Sequence, residues 1–431
     1  MKTRLFVMLL VVFALIAVPL QNTPVQAQEV TLTLGSWRID DTAQIREILD
    51  VFNKANPGIV VKFDPTNPPD YNATLRTQLE GGTGPDLFYL RSFATSQQLF
   101  KEGHIASLKD LEVLKTAFDP ASLVPWSSAE GEPYGVPIMA VSHGVYYNQD
   151  LFAELNIAVP TSWADLMTAA QTIKDAGKIP FANATGESWT IAEIVLMNIA
   201  PTFIGGREGR MEYLEGKRCF NDADAVSVFA AVGSLAPFLP AGQQALKYSD
   251  SLQLFLQGEA AMWFGGSWDI PAFEAEAPDF SWSVFAVPAP EGKESAVTFH
   301  LDAAIGMNAN SKNKEAATKF LEWLGTEEFA TMLGDKLPGF FPLLKDAKIT
   351  LSNEHADAFL KLNEGRKTDI RWAWEKLLDT PSDMKDAVDG YTLMQDNAIA
   401  VINGKETPEE AANALQAGLA VWYKPAMTCG K

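Results

Sequence analysis

Cysteine is almost missing from this sequence: Cys219 and Cys429 are the only two in 431 residues, and neither sits in a CxxC pair or near clustered histidines. That excludes the usual zinc and thiol-redox motifs, and leaves open whether the two pair with each other. Histidine is scarce too, at His104, His143, His300 and His355, with no HExxH to hold a catalytic metal. The phosphate-cradling GxxxxGK[ST], the dinucleotide GxGxxG and the nucleophile elbow GxSxG are all absent. Positive charge is in deficit, with 34 Lys and Arg against 54 Asp and Glu and a formal net charge of −20. So acidic a surface repels phosphate backbones and anionic lipid headgroups, which excludes nucleic acid and bare membrane as partners. No internal repeat or low-complexity segment stands out.

The one long apolar run, Leu5 to Val18, is shorter than the roughly 20 residues of a membrane-spanning helix. It follows Lys2 and Arg4 and leads through Pro19 to Val25-Gln26-Ala27, the anatomy of a signal peptide over residues 1–27 cut before Gln28. No cysteine follows it to carry a lipid. The expected mature chain is therefore exported and free of the membrane, and loss of Lys2 and Arg4 takes its charge from −20 to −22.

What is present is a hydrophobic fraction of 47% and enough length for two or three domains. Val30 to Leu34 alternates as a strand. Ile45, Ile48, Leu49 and Phe52 then recur at helical spacing, with Asp41 and Gln44 as a helix start and Asn56-Pro57-Gly58 as its stop. Ile59 to Phe63 reads as a strand, Tyr71 to Leu79 as a helix and Asp86 to Leu90 as a strand, an alternation that predicts parallel pairing in an α/β fold. Ligands collect beyond the carboxyl ends of such strands, where Ser36, Trp37 and Arg91 stand. The pattern resumes after Val141 to Tyr147. Ser162 with Asp165, and Thr407-Pro408 with Glu410, predict two further helix starts.

Eleven tryptophans are unusually many. Trp163, Trp282, Trp323 and Trp422 read as packing residues, because tryptophan is on average highly buried. Trp37, Trp189 and Trp268 instead follow predicted strands among Gly and Ser. Beside them stand Asp40 and Asp41, Arg91, Glu187 and Asp269. Aromatic rings pack on the C–H face of a sugar while planar polar groups take its hydroxyls, so this pairing points to a saccharide cleft.

The order of Leu32-Thr33-Leu34-Gly35-Ser36-Trp37, Asn56-Pro57-Gly58, Gly84-Pro85-Asp86-Leu87-Phe88, Tyr134-Gly135-Val136-Pro137, Val145 to Phe152, Pro160-Thr161-Ser162-Trp163, Gly258 to Met262 with Gly265-Gly266-Ser267-Trp268, and Lys314 to Ala317 resembles the family-1 extracellular solute-binding proteins of bacterial ABC importers. The resemblance implies a two-lobe type II periplasmic-binding-protein fold, each lobe a mostly parallel sheet flanked by helices, with the ligand between lobes. It implies an N-terminal lobe of residues 28–136 plus 293–340, and a C-terminal lobe of 137–292 plus 341–431. Crossings are expected near Val136-Pro137, Val287 to Gly292 and Pro338 to Pro342.

Carried over by position, the resemblance gives Trp37, Arg91 and Ser92 in the first lobe, with Phe93 the only aromatic beside them. In the second it gives Glu187, Trp189 and Trp268, and either Trp372 or Trp374 as a late aromatic platform. His300 and Asp302 follow a crossing and reach for the cleft. The implied partners are a carbohydrate and the importer's permease; the implied protein is a periplasmic monomer with no cofactor, no metal and no catalysis. Two rivals remain: a non-sugar solute such as a polyamine held through cation–π contacts, and an exported hydrolase using Glu187 with Asp269.

Overall fold

A computed structural model describes residues 29–346, 351–381 and 384–430; the proposed leader lies outside them. Strands β1 (Val30–Ser36), β2 (Ile59–Pro65) and β3 (Leu87–Arg91) pair in parallel in the order β2-β1-β3, as their helical crossovers require. The crossover helix Thr42–Ala55 buries Ile45, Ile48, Leu49 and Phe52, the face that the sequence spacing marks. Its expected cap differs. The Asp41 side chain makes no cap hydrogen bond and instead holds Arg38 at 2.9 Å. The capping boxes at Ser162 and Thr407 form as the sequence predicts.

Seven more strands follow: β4 (Val136–Asn148), β5 (Ile179–Phe181), β6 (Ala260–Gly266), β7 (Trp282–Phe285), β8 (Ala296–Met307), β9 (Phe341–Pro342) and β10 (Lys367–Asp369). β5 and β6 are parallel, as are β8 and β10. Antiparallel pairing enters where the chain returns: β8 runs against β3 and β4, and β4 against β6, β7 and β9, so the sheet is mixed.

Two apolar cores divide the molecule. One gathers residues from Leu32 to Val141 and from Ala303 to Phe340, the other from Ala140 to Val297 and from Phe341 to Ala426. The chain passes between them inside β4, inside β8 and at the start of β9. Val287 packs in the second core, so the passage to the first comes farther on, between Val297 and Ala303. The β4 ladder shifts register between Pro137 and Ala140, where proline has no N–H to donate. Trp268, Leu301 and Leu343 pack against both cores, which places them where the lobes meet.

Cys219 and Cys429 form a disulfide that ties the turn after the helix Gly206–Leu214 to the terminal helix Lys424–Thr428, across 210 residues of sequence. A cross-link over so long a loop restricts the unfolded chain strongly. Cys429→Ser is expected to cost about 2–5 kcal/mol in urea unfolding; an unchanged midpoint would contradict a stabilising role.

Candidate ligand-binding cleft

The floor of the space between the cores is built on the two crossing strands. β4 contributes His143 and β8 contributes His300 and Asp302, with the two imidazole centroids 5.4 Å apart. Trp268 meets His143 edge-on at 5.0 Å, and Trp374 meets His300 edge-on at 4.7 Å, so four rings form a row, Trp268, His143, His300, Trp374. His300 Nε2 lies 3.3 Å from Asp302 Oδ1. The Arg371 guanidinium lies 4.6 Å over the Trp374 ring and pairs with Glu193 at 3.0 Å. Glu193 belongs to a π-helical segment, Thr190–Leu196, a rare geometry that recurs at functional sites. Tyr391 reaches the same carboxylate from the helix Gly390–Ile402.

Burial, reinforced by the Arg371 charge, holds His143 well below the ordinary imidazole range and His300 at about 4. Both are therefore uncharged at neutral pH. Burial pushes Asp302 the other way, but its His300 partner and the charges of Arg371 and Arg91 outweigh this and hold it at about 2.

The first-lobe wall differs from the sequence expectation. Trp37 is only 4% exposed, wedged edge-on against Tyr71 and Tyr89, and the Arg91 guanidinium covers its face at 4.2 Å. It is a support for Arg91 rather than an open sugar platform. Asp41 is buried in its ion pair with Arg38, and Asp40 is exposed at the rim within electrostatic reach of Tyr248. Ser92 donates to the Leu301 carbonyl at 3.1 Å. Phe93 adopts a left-handed φ of 63°, a costly conformation for a non-glycine residue, and its ring faces Trp374 across the lobes at 6.1 Å.

On the second-lobe wall, Glu187 accepts the Tyr248 N–H at 2.9 Å and Trp189 packs on the Tyr248 ring at 5.0 Å, both half-buried. Asp269 is not a free ligand acceptor. It is 1% exposed and accepts from Trp263 Nε1 at 3.0 Å, from the Tyr248 hydroxyl and from the Gly266 N–H, while burial pushes its carboxyl up to about 6. Trp372 is also corrected: fully buried, it stacks on Phe220 and leans on Tyr213 inside the second core, leaving Trp374 as the cleft aromatic. The segment bearing both is clamped by Arg210, whose Nε holds Asp369 at 2.7 Å and whose Nη1 holds Glu375 at 2.6 Å.

Among the expected residues, the structure thus gathers Trp268, His300, Asp302 and Trp374 at the floor, with Arg91, Glu187 and Trp189 on the walls. His143, Glu193, Tyr248, Arg371 and Tyr391 join them without having been singled out in the sequence. Two surface hollows lie elsewhere, one by Ser295 and Lys367 and one by Gly84 and Asp86; Asp86 there is already held by Thr33, Ser311 and Asn313.

The histidine floor carries a pH signature. The unfolded chain protonates His300 near 6.5 and the folded chain only near 4, so the folded state loses ground between those values, at most about 1.4 kcal/mol per pH unit. Asp269 acts oppositely between about 6 and 3.8, so the effect is read as a difference between proteins. His300→Gln is expected to lose less stability than wild type on going from pH 6.5 to 4 in urea unfolding; parallel pH profiles would contradict it.

The profile of bacterial extracellular solute-binding proteins matches residues 36–331. The multiple sugar-binding protein of Streptococcus mutans is 25% identical, covering 69% of this chain and 71% of its own. A protein studied for xylan utilisation by the thermophilic bacterium Caldanaerobius polysaccharolyticus superposes with a TM-score of 0.78 at 22% identity, over 90% of this chain and 99% of its own. RafE in complex with raffinose superposes at 0.73 over 92% of this chain and 99% of its own, and the apo form of RafE from Streptococcus pneumoniae at 0.66 over 93% and 98%, both at 22% identity. The shared architecture is the two-lobe type II binding-protein fold. With two thirds of its length matched by that family and its polar row set between the lobes, the chain belongs to the bacterial extracellular solute-binding proteins.

Proposed function

We propose that this protein is the exported sugar-capturing component of an ABC importer, a periplasmic monomer that closes its two lobes around a sugar or oligosaccharide and presents it to a membrane permease. The observation that carries the reading is the row Trp268, His143, His300, Trp374, where two indole rings flank two uncharged imidazoles between the lobes. A sugar offers a C–H face to the first kind and hydroxyls to the second.

Hinge closure is supported by two observations. The lobes already meet at Phe93 and Trp374, and the chain superposes better on the raffinose complex of RafE than on its apo form. A ligand touching both lobes only when they meet shifts the population toward closure by its differential affinity. Water expelled on closure strengthens the hydrogen bonds that remain.

The rival ligands fit less well. An ammonium on this floor meets the positive charges of Arg371 and Arg91, which repel it. A hydrolase would need Glu187 and Asp269 free to act as acid and base. Asp269 is instead buried under three donors, and Glu187 holds a backbone N–H.

Thermal-shift screening against mono- and oligosaccharides and amines is expected to show stabilisation by a sugar, which chromatography recovers uncleaved. Stabilisation by amines alone, or cleavage of the sugar, would overturn the proposal. Trp268→Ala should weaken binding of that sugar by about 1–3 kcal/mol in calorimetry; unchanged affinity would remove Trp268 from the site.

A further inference from the structure

We infer that His143, His300 and Arg371 form a hydroxyl-reading subsite at the bottom of the cleft, made for the adjacent hydroxyls of one uncharged sugar ring, with His143 as its specificity-determining contact. This rests on the sugar-binding reading above and adds to it the residues that discriminate.

Buried polar atoms in folded proteins are nearly always hydrogen-bonded, and each exception needs a reason. Both nitrogens of His143, Nδ1 of His300 and Nε of Arg371 have no hydrogen-bond partner among the described residues. All three side chains are more than nine-tenths buried, and they share one small region: the imidazoles neighbour each other, and Arg371 lies over Trp374, which touches His300. Of the neighbouring polar groups, Asn363 Oδ1 is also unpaired, while its Nδ2 donates to Ser142 Oγ. Ser267 Oγ accepts the Ser142 N–H, and Asn198 donates to the Gly144 carbonyl. Four unpaired nitrogens thus meet along the ring row, whereas those of Trp189, Arg210 and Trp372 lie outside it.

Their chemistry selects a ligand class. An uncharged imidazole offers one donor and one acceptor, and the guanidinium only donors. A carboxylate has no proton for the imidazole acceptors, and an ammonium has no lone pair for the donors. Hydroxyl groups give and take, so adjacent hydroxyls on one ring can satisfy the whole set. The strand presenting His143 is closely packed: a Cβ on the next residue, Gly144, would lie 2.5 Å from the Val284 side chain. A fixed imidazole discriminates by position.

The test uses the full-length exported protein and the sugar that stabilises it most in the thermal-shift panel, with that sugar's monodeoxy analogues. In calorimetry, wild type is expected to lose about tenfold or more in affinity for at least one analogue. His143→Phe should bind the parent sugar about 10- to 100-fold more weakly and no longer distinguish that analogue from it. A purely structural role for His143 would lower affinity for parent and analogue alike. Should His143→Phe not fold, His143→Gln gives the same comparison, with weaker parent binding and a changed analogue ratio expected. Sugar binding by the variant with wild-type affinity, or with undiminished discrimination at every hydroxyl, would overturn the assignment while leaving the function standing. No sugar binding by wild type would overturn both.

Discussion

The antiparallel pairing of β4 with β8 is the constraint on which the rest of the molecule depends. Both strands run from one core into the other, and their ladder pairs Val136 with Ile305 at one end and Ser142 with Phe299 at the other. The register places Val141 opposite His300 and so sets the two histidines side by side at the crossing. A slip of one residue in either strand would turn a histidine into a core and an apolar residue into the cleft. The connection between the cores is therefore sheet backbone rather than loose chain, with the register shift around Pro137 to Ala140 and the short strand β9 alongside.

Charge is managed by pairing around that crossing. Burying an ion is expensive unless a partner compensates it. Arg38 has Asp41, Arg371 has Glu193 and Arg210 has both Asp369 and Glu375. The last pair of contacts fixes both ends of the segment that delivers Arg371 and Trp374 to the cleft. The surface carries the large negative charge while the floor keeps its histidines uncharged.

How much of this could be read from sequence follows from local physics. Helical and strand periodicity are local, so the buried face of the helix Thr42–Ala55 and the parallel set β1 to β3 were legible. Trp268 was legible because it follows a strand ending in glycines. His300 was expected near a crossing, but His143 was not: β4 is buried along its whole length, so no alternation of buried and exposed positions marks which residue faces a cleft. Trp372 and Trp374 lie two apart in an irregular segment, where only packing on Phe220 separates core from cleft. Asp269 and Trp37 had the right chemistry for a ligand, but Tyr248, Trp263 and Arg91, distant or unremarked in sequence, use it internally.

On the proposed function, a sugar brings the two lobes together over the row of rings on β4 and β8. Small-angle X-ray scattering of the protein, with and without a saturating amount of the sugar that stabilises it most, tests this directly. The sugar is expected to reduce the radius of gyration in wild type, with Trp268→Ala requiring a higher concentration for the same reduction. A radius of gyration unchanged at full saturation would contradict it.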